Sequence, residues 1–152
     1  MSTPSLRINW MAEALRQARK ACQSQEVPVG AVIVHEQKII AVAHNLVGTT
    51  HDPTAHAEIL VLRQASQILR TSYLTDCDLY VTLEPCAMCA QAMAFARIRR
   101  LFFGAYDPKG GAIEHGPRLF AQATCHHHPE ITGGLHADEC QKLLKDFFRQ
   151  LR

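Results

Sequence analysis

Two short stretches of this chain place metal-ligating and proton-carrying side chains at definite spacings: Pro53-Thr54-Ala55-His56-Ala57-Glu58 and Pro85-Cys86-Ala87-Met88-Cys89. Cys86 and Cys89, at i and i+3 where a helix opens, fall on one side of its first turn and can grip a single ion. His56 and Glu58, at i and i+2, point about 200° apart on an ideal helix, so one is expected to be a ligand and the other not. His56, Cys86 and Cys89 then make three ligands. Structural zinc is normally closed by four protein ligands, whereas catalytic zinc keeps three and leaves a position for water. Two thiolates and a neutral imidazole offset the charge of Zn²⁺, so a bound water can ionise near neutral pH. Glu58, off the metal but beside the water, is placed to take its proton and pass it to a leaving nitrogen.

The elements that must position these groups are legible in the surrounding pattern. Met11, Ala14, Leu15, Ala18 and Cys22 recur at helical spacing and predict a surface helix with Cys22 on its core face. Two β-rich runs, 31–35 and 38–44, flank a polar turn at Glu36 and Gln37 and predict a hairpin. Asp52-Pro53-Thr54 supplies helix-start residues ahead of the stretch holding His56 and Glu58. A buried strand at 78–83, a helix opening near Pro85 and a second apolar strand at 101–105 predict a parallel crossover. Irregular Gly- and His-rich sequence fills 107–136, and a last helix carries the stripe Leu143, Leu144, Phe147, Phe148 and Leu151. Both motifs therefore open helices, where free N–H groups and the macrodipole favour thiolates and other anions.

A length of 152 residues, 47% of them hydrophobic, fits one domain, 1–152, with a real core. Sixteen basic against fourteen acidic side chains leave +2, too small a bias to identify a nucleic-acid binder by composition. Neither a membrane-spanning run nor a signal-peptide h-region is evident, and a cytoplasmic protein with reduced or metal-bound thiols is expected.

At these residues the sequence resembles the zinc-dependent cytidine and deoxycytidylate deaminase superfamily, whose signature is His-x-Glu followed by Pro-Cys-x-x-Cys. Within it the chain is similar to the bacterial tRNA-specific adenosine deaminases. That likeness runs through 26–32, Asn45, 52–59, 79–89, 96–109 and 143–148. The resemblance implies an α/β fold of three layers, α/β/α, with a central mixed five-stranded sheet flanked by helices. It implies one Zn²⁺ per subunit held by His56, Cys86 and Cys89, with Glu58 as catalytic proton shuttle and Asn45 and Asp107 as substrate contacts. It also implies a homodimer acting on a tRNA anticodon stem-loop, converting wobble adenosine to inosine. Two places depart from the family pattern: Glu114-His115 stands where a Gly-Ser pair is usual, and His126-His127-His128 where an Asn-His-Arg word is usual.

Judged without the resemblance, Asn45 at a strand end serves equally as a turn residue, and Asp107 before Pro108 is a natural turn. The run Cys125 to His128 invites a second metal site, although adjacent residues seldom converge on one ion. Cys140 suits a small apolar filler. Lys142, Lys145, Arg149 and Arg152 form one stripe on the last helix, and Arg97, Arg99 and Arg100 a second cluster. If brought together at the site mouth, these two would track phosphates. Two further functions compete with tRNA deamination. The same chemistry on a free base or nucleoside such as guanine, cytosine or cytidine is kept open by the two departures. A zinc-dependent binding module is opposed by Glu58, which structural zinc does not need.

Overall fold

The computed structural model describes residues 8–151. Helix α1 (Trp10–Gln23) opens where the Asn9 side chain accepts from the Ala12 N–H at 3.1 Å, satisfying a free amide of the first turn. Its buried stripe contains Met11, Ala14, Leu15 and Ala18, but Cys22 is only half-buried, because the buried positions end at Ala21. Strands β1 (Gly30–His35) and β2 (Lys38–His44) form the expected hairpin. Its turn residues Glu36 and Gln37 both have positive φ, 51° and 63°. That is the primed turn whose twist matches the flanking strands.

A single helical turn, α2 (Val47–Thr50), precedes α3 (Ala57–Leu69). Asp52-Pro53-Thr54 does not start α3 as the sequence suggests. Asp52 Oδ1 accepts from the Thr54 N–H at 2.9 Å and its hydroxyl at 2.7 Å, closing a local turn, and the helix begins only at Ala57. Strand β3 (Cys77–Leu83), α4 (Ala87–Ala96) and β4 (Arg100–Ala105) make the expected parallel crossover. Strand β5 (Glu130–Thr132) lies inside the region expected to be irregular. It has three exposed residues and no alternation to announce it, and it owes its extended form to parallel pairing with β4. Helix α5 (Ala137–Gln150) closes the described chain.

The five strands form one mixed sheet in the order β2-β1-β3-β4-β5. Helix α1 packs chiefly on β1 and also on β3 and β2, α5 packs on β4 and β3 and touches α1, while α3 packs on β2 and β1 and beside α4. Side-chain alternation feeds both layers: Val32 joins Met11, Leu15 and Cys140, whereas Ile33 joins Val61, Leu79, Met93 and Phe103. The stripe of α5 is narrower than expected. Cys140 and Phe147 are buried, but Phe148 and Leu151 remain 48% and 67% exposed.

Because β3 and β4 are parallel, their C-terminal ends, Leu83 and Ala105, lie side by side at one edge of the sheet. Glu84-Pro85-Cys86 and Tyr106-Asp107 leave from that edge, while Arg100 starts β4 at the opposite edge, about 17 Å away at ~3.3 Å per residue.

The tightest helix–sheet approach is at Gly30, where an added Cβ would lie 2.0 Å from the Ala14 carbonyl oxygen and 2.5 Å from the Ala18 nitrogen. Both are backbone atoms that a rotamer change cannot move. Gly30→Ala should destabilise the protein by about 2–4 kcal/mol in urea unfolding, at or above the upper part of the overpacking range. Gly48→Ala, whose Cβ would meet only the Glu26 carboxylate at 3.5 Å, should change stability by less than about 1 kcal/mol.

Candidate active site

His56 and Cys86 occupy equivalent places, as N-cap residues with extended backbones at the starts of α3 and α4. The His56 side chain does not cap α3. The Ala57 N–H is instead taken by Asn45 Oδ1 at 2.8 Å, reaching across from the end of β2. The imidazole is thereby released toward α4, where Nδ1 stands 3.6 Å from Cys86 Sγ and 3.5 Å from Cys89 Sγ. Three donor atoms within 4.8 Å of one another make this the one metal-competent cluster among the described residues.

The cluster can be tested against zinc by its edges. Tetrahedral bonds of about 2.0–2.1 Å to nitrogen and about 2.3 Å to sulfur set an N···S edge of about 3.6 Å. The two N···S distances match that edge, and a soft thiolate pair with one imidazole is a donor set zinc favours. Glu58 lies outside the ligand cluster, within the first turn of α3. The ideal-helix angle does not describe its separation from His56. His56 still has extended backbone, and the divergence comes from the change to helix at Ala57.

Charge within the cluster is uneven. The Cys89 thiol, donating to Cys86, pulls Cys86 down to about 4, aided by His56 and opposed by burial. Cys89 is pushed up by the same bond and by burial, and His56 is raised chiefly by its contact with Cys86. Burial pushes Glu58, only 4% exposed, up to about 7, and the neighbouring Cys86 charge adds to this. A divalent cation among these groups would favour deprotonation of Cys89 and Glu58.

The remaining expected residues divide. Asn45 is buried, and its side-chain oxygen is committed to the start of α3. Asp107 is not brought into the cluster. Its Oδ1 accepts from the Lys109 and Gly110 N–H groups at 3.2 and 3.0 Å, which is the turn its sequence favours. It also lines a cavity of about 810 Å³ with Tyr106, Lys145, Phe148 and Arg149. Arg99 and Arg100 are held at the far edge of the sheet by Asp78, Arg100 also by Glu130, so they do not join α5 at the mouth. On α5, Lys142 and Arg149 both approach Asp146, at 3.6 and 3.7 Å; Arg152 lies outside the described residues. Cys125 and the three histidines do not converge on an ion. Cys125 Sγ donates to the His127 carbonyl, and His127 Nε2 donates to the Ile98 carbonyl at 2.8 Å.

Sequence reasoning passed over two buried acids beside the site. Glu26 accepts from the Gly48 N–H and from the Thr49 N–H and hydroxyl, fixing α2. Glu84 accepts from four backbone N–H groups of 107–115 and from the His115 ring. The available signal was an acidic residue at the end of an apolar strand, directly before Pro85-Cys86.

The profile of the MafB19-like deaminase family matches residues 7–152. The tRNA-specific adenosine deaminase of Agrobacterium fabrum is 51% identical over 96% of this chain and 96% of its own. A solved structure from work on A-to-I editing by tRNA:A34 deaminases at the wobble position of transfer RNA superposes with a TM-score of 0.89 at 51% identity, over 91% of this chain and all of that one. Guanine deaminase from Bacillus subtilis is more distant, with a TM-score of 0.62 at 38% identity over 65% of this chain and 66% of that one. The chain therefore belongs to the MafB19-like deaminases and, within the zinc-dependent cytidine and deoxycytidylate deaminase superfamily, to the tRNA-specific adenosine deaminases.

Proposed function

We propose that this protein hydrolyses adenosine to inosine at the wobble position of a tRNA anticodon, releasing ammonia, with His56, Cys86 and Cys89 holding one zinc ion per subunit. The observation that carries the mechanism is Glu58, a buried carboxyl beside a three-donor cluster but outside it. A zinc ion held by His56, Cys86 and Cys89 would supply the Lewis acidity that makes water a nucleophile near neutral pH. Glu58, a buried carboxyl in the first turn of α3, is the group placed to accept a proton from the attacking water and deliver one to the departing amino group. The amide nitrogen of Asn45 is a donor for the bound nucleotide, while its oxygen keeps α3 in place.

The rest of the anticodon loop meets the mouth beside the cavity bounded by Asp107, Lys145, Phe148 and Arg149, which offers cations for phosphates and exposed aromatic surface for bases. A second copy of the chain is the partner we assign to the α3–α4 face, where Phe95 is 72% exposed beside a cavity lined by Ile59, Leu62 and Ala92. The cytoplasm, where tRNA is modified, is the assigned compartment, and no helix among the described residues is long and apolar enough to cross a membrane.

Glu58→Ala should keep stoichiometric zinc by metal analysis and lose activity by about 10²–10⁴-fold, the range for a lost general acid–base. Cys86→Ala should lose the metal. A zinc-free Glu58→Ala protein would make the carboxylate a ligand and refute the division of labour.

Substrate class is decided by mass analysis of an anticodon stem-loop alongside ammonia release from free adenosine, cytidine and guanine. Much of the binding energy of a loop substrate lies outside the reacting base, so truncated substrates should lose turnover as well as affinity. The stem-loop should be converted to inosine and the free compounds turned over at least about 10²-fold more slowly. Asn45→Ala should impair the loop reaction without removing zinc. Rapid guanine turnover with an untouched stem-loop would replace this function by the free-base one, consistent with the likeness to guanine deaminase.

Reversing Lys145 and Arg149 to Glu should weaken stem-loop binding and flatten its salt dependence, with zinc unchanged. An unaltered salt slope in a binding titration would return the stripe to an ordinary solvated surface.

A further inference from the structure

The geometry points to Glu84 as a positioning residue: we propose that its buried carboxylate, clamped by His115, holds residues 107–115 as a preformed wall of the substrate mouth. The inference rests on the deaminase function above and assigns to that site a residue pair that touches neither the metal ligands' donor atoms nor the reacting base.

The Glu84 side chain has no solvent exposure, and both oxygens are fully engaged. Oε1 accepts from the Asp107 N–H at 3.0 Å and from His115 Nδ1 at 2.8 Å. Oε2 accepts from the consecutive N–H groups of Ile113, Glu114 and His115 at 3.1, 2.9 and 3.2 Å. A carboxylate has about four lone-pair sites, so five donors leave none for a cation or substrate. Its work is done inside the protein.

That work falls on a segment with no regular structure to hold it. Residues 107–115 contain neither helix nor strand, so their backbone amides need partners from elsewhere. Charge-assisted bonds to one carboxylate, about twice as strong as neutral ones, bind both ends of the segment to a single point. The Ala112 N–H adds a bond to the Pro85 carbonyl at 2.8 Å, docking the middle beside the Cys86 turn. The fit is close. A Cβ at Gly111 would lie 2.5 Å from the Glu84 carboxyl carbon and 2.6 Å from the Asp107 carbonyl oxygen.

His115 extends the clamp from the carboxylate to the core. Its ring meets Tyr106 edge-on at 6.1 Å, and Tyr106 meets Phe103 edge-on at 5.2 Å, so the segment is pinned through a buried aromatic of β4. A side chain without a ring at 115 would bring no such contact onto Tyr106. His115 thus gives the wall that carries Asp107 a second attachment.

The experiment compares Glu84→Gln, His115→Ala and Gly111→Ala with wild type, all as full-length zinc-loaded protein. The measurements are hydrogen exchange, zinc content, and KM and kcat on the anticodon stem-loop. Glutamine presents an NH₂ to backbone donors, His115→Ala removes the clamp, and Gly111→Ala displaces the segment with both partners intact. Each should raise exchange within 107–115 by roughly 10-fold or more, with other segments unchanged. Each should keep its zinc and raise KM by about 10-fold, with kcat changed less than about threefold, as expected for a misplaced binding wall. Zinc loss from Glu84→Gln, or faster exchange spread over the whole protein with KM unchanged, would overturn the proposal. If Glu84→Gln fails to fold, His115→Ala and Gly111→Ala decide it by the same two readings. A wild type inactive on the stem-loop sinks the deaminase function instead, while the exchange comparison still decides whether Glu84 and His115 hold the segment.

Discussion

The hydrogen bond from the Ala57 N–H to Asn45 Oδ1 resolves the conflict on which the site depends. A helix opening needs its free amides satisfied, and Ser, Thr, Asp or Asn at the N-cap usually does so with its own side chain. Here the N-cap of α3 is His56, whose ring is needed elsewhere. The cap is therefore supplied from outside, by the end of β2, and the imidazole turns toward α4. The hairpin sets where β2 ends, the β3-α4-β4 crossover sets where Cys86 begins, and sheet pairing brings the two together. A catalytic contact at Asn45 and a structural one are thus not alternatives, since the amide has two ends.

Three buried glutamates near the site show how one residue type is driven to opposite states. Burial raises all three. Around Glu26 it is outweighed by donation from the Thr49 hydroxyl and the N–H groups of Thr49 and Gly48, and around Glu84 by Asp107, His115, Glu114 and Ile113, so both fall below the usual carboxylate range. Glu58 lacks such a set of backbone donors, and burial takes it to about 7. The number of N–H groups aimed at the carboxylate separates a fixed anion from a proton carrier. The two anions each hold a loop beside the site, α2 on one side and 107–115 on the other, and the third is left able to exchange its proton.

Much of this was legible in the sequence because it is local. The i, i+3 cysteines, the hairpin turn and the strand-helix-strand run each announce themselves within a few residues, and the resemblance supplied the mixed five-stranded sheet, though not its strand order. What escaped was set by distant partners. β5 is extended because β4 pairs with it, not because Glu130-Ile131-Thr132 says so. Glu84 looks like any acidic residue until the amides of 113–115 are folded onto it, 29 to 31 positions further along. The α3 start was misplaced because Asp52 and Thr54 satisfy each other, a competition that sequence signals for caps and turns share. The arginine cluster and the α5 stripe were separable only once β4 gave them opposite ends of the sheet.

That separation constrains how a polyanion can be recognised. Arg99 and Arg100 are paired with Asp78, and Lys142 and Arg149 share Asp146, which leaves Lys145 as the α5 cation without an ion pair among the described residues. The counterion term in nucleic-acid binding scales with the number of phosphates met by cations, so on α5 it falls first to Lys145. Under the proposed function, exposed Phe148 and Tyr106 offer surface on which splayed bases can stack. Rigid walls are what two buried carboxylates can provide, because a loop ordered before binding loses less entropy on contact. The proposed function therefore draws on how the backbone around the mouth is anchored as well as on surface charge.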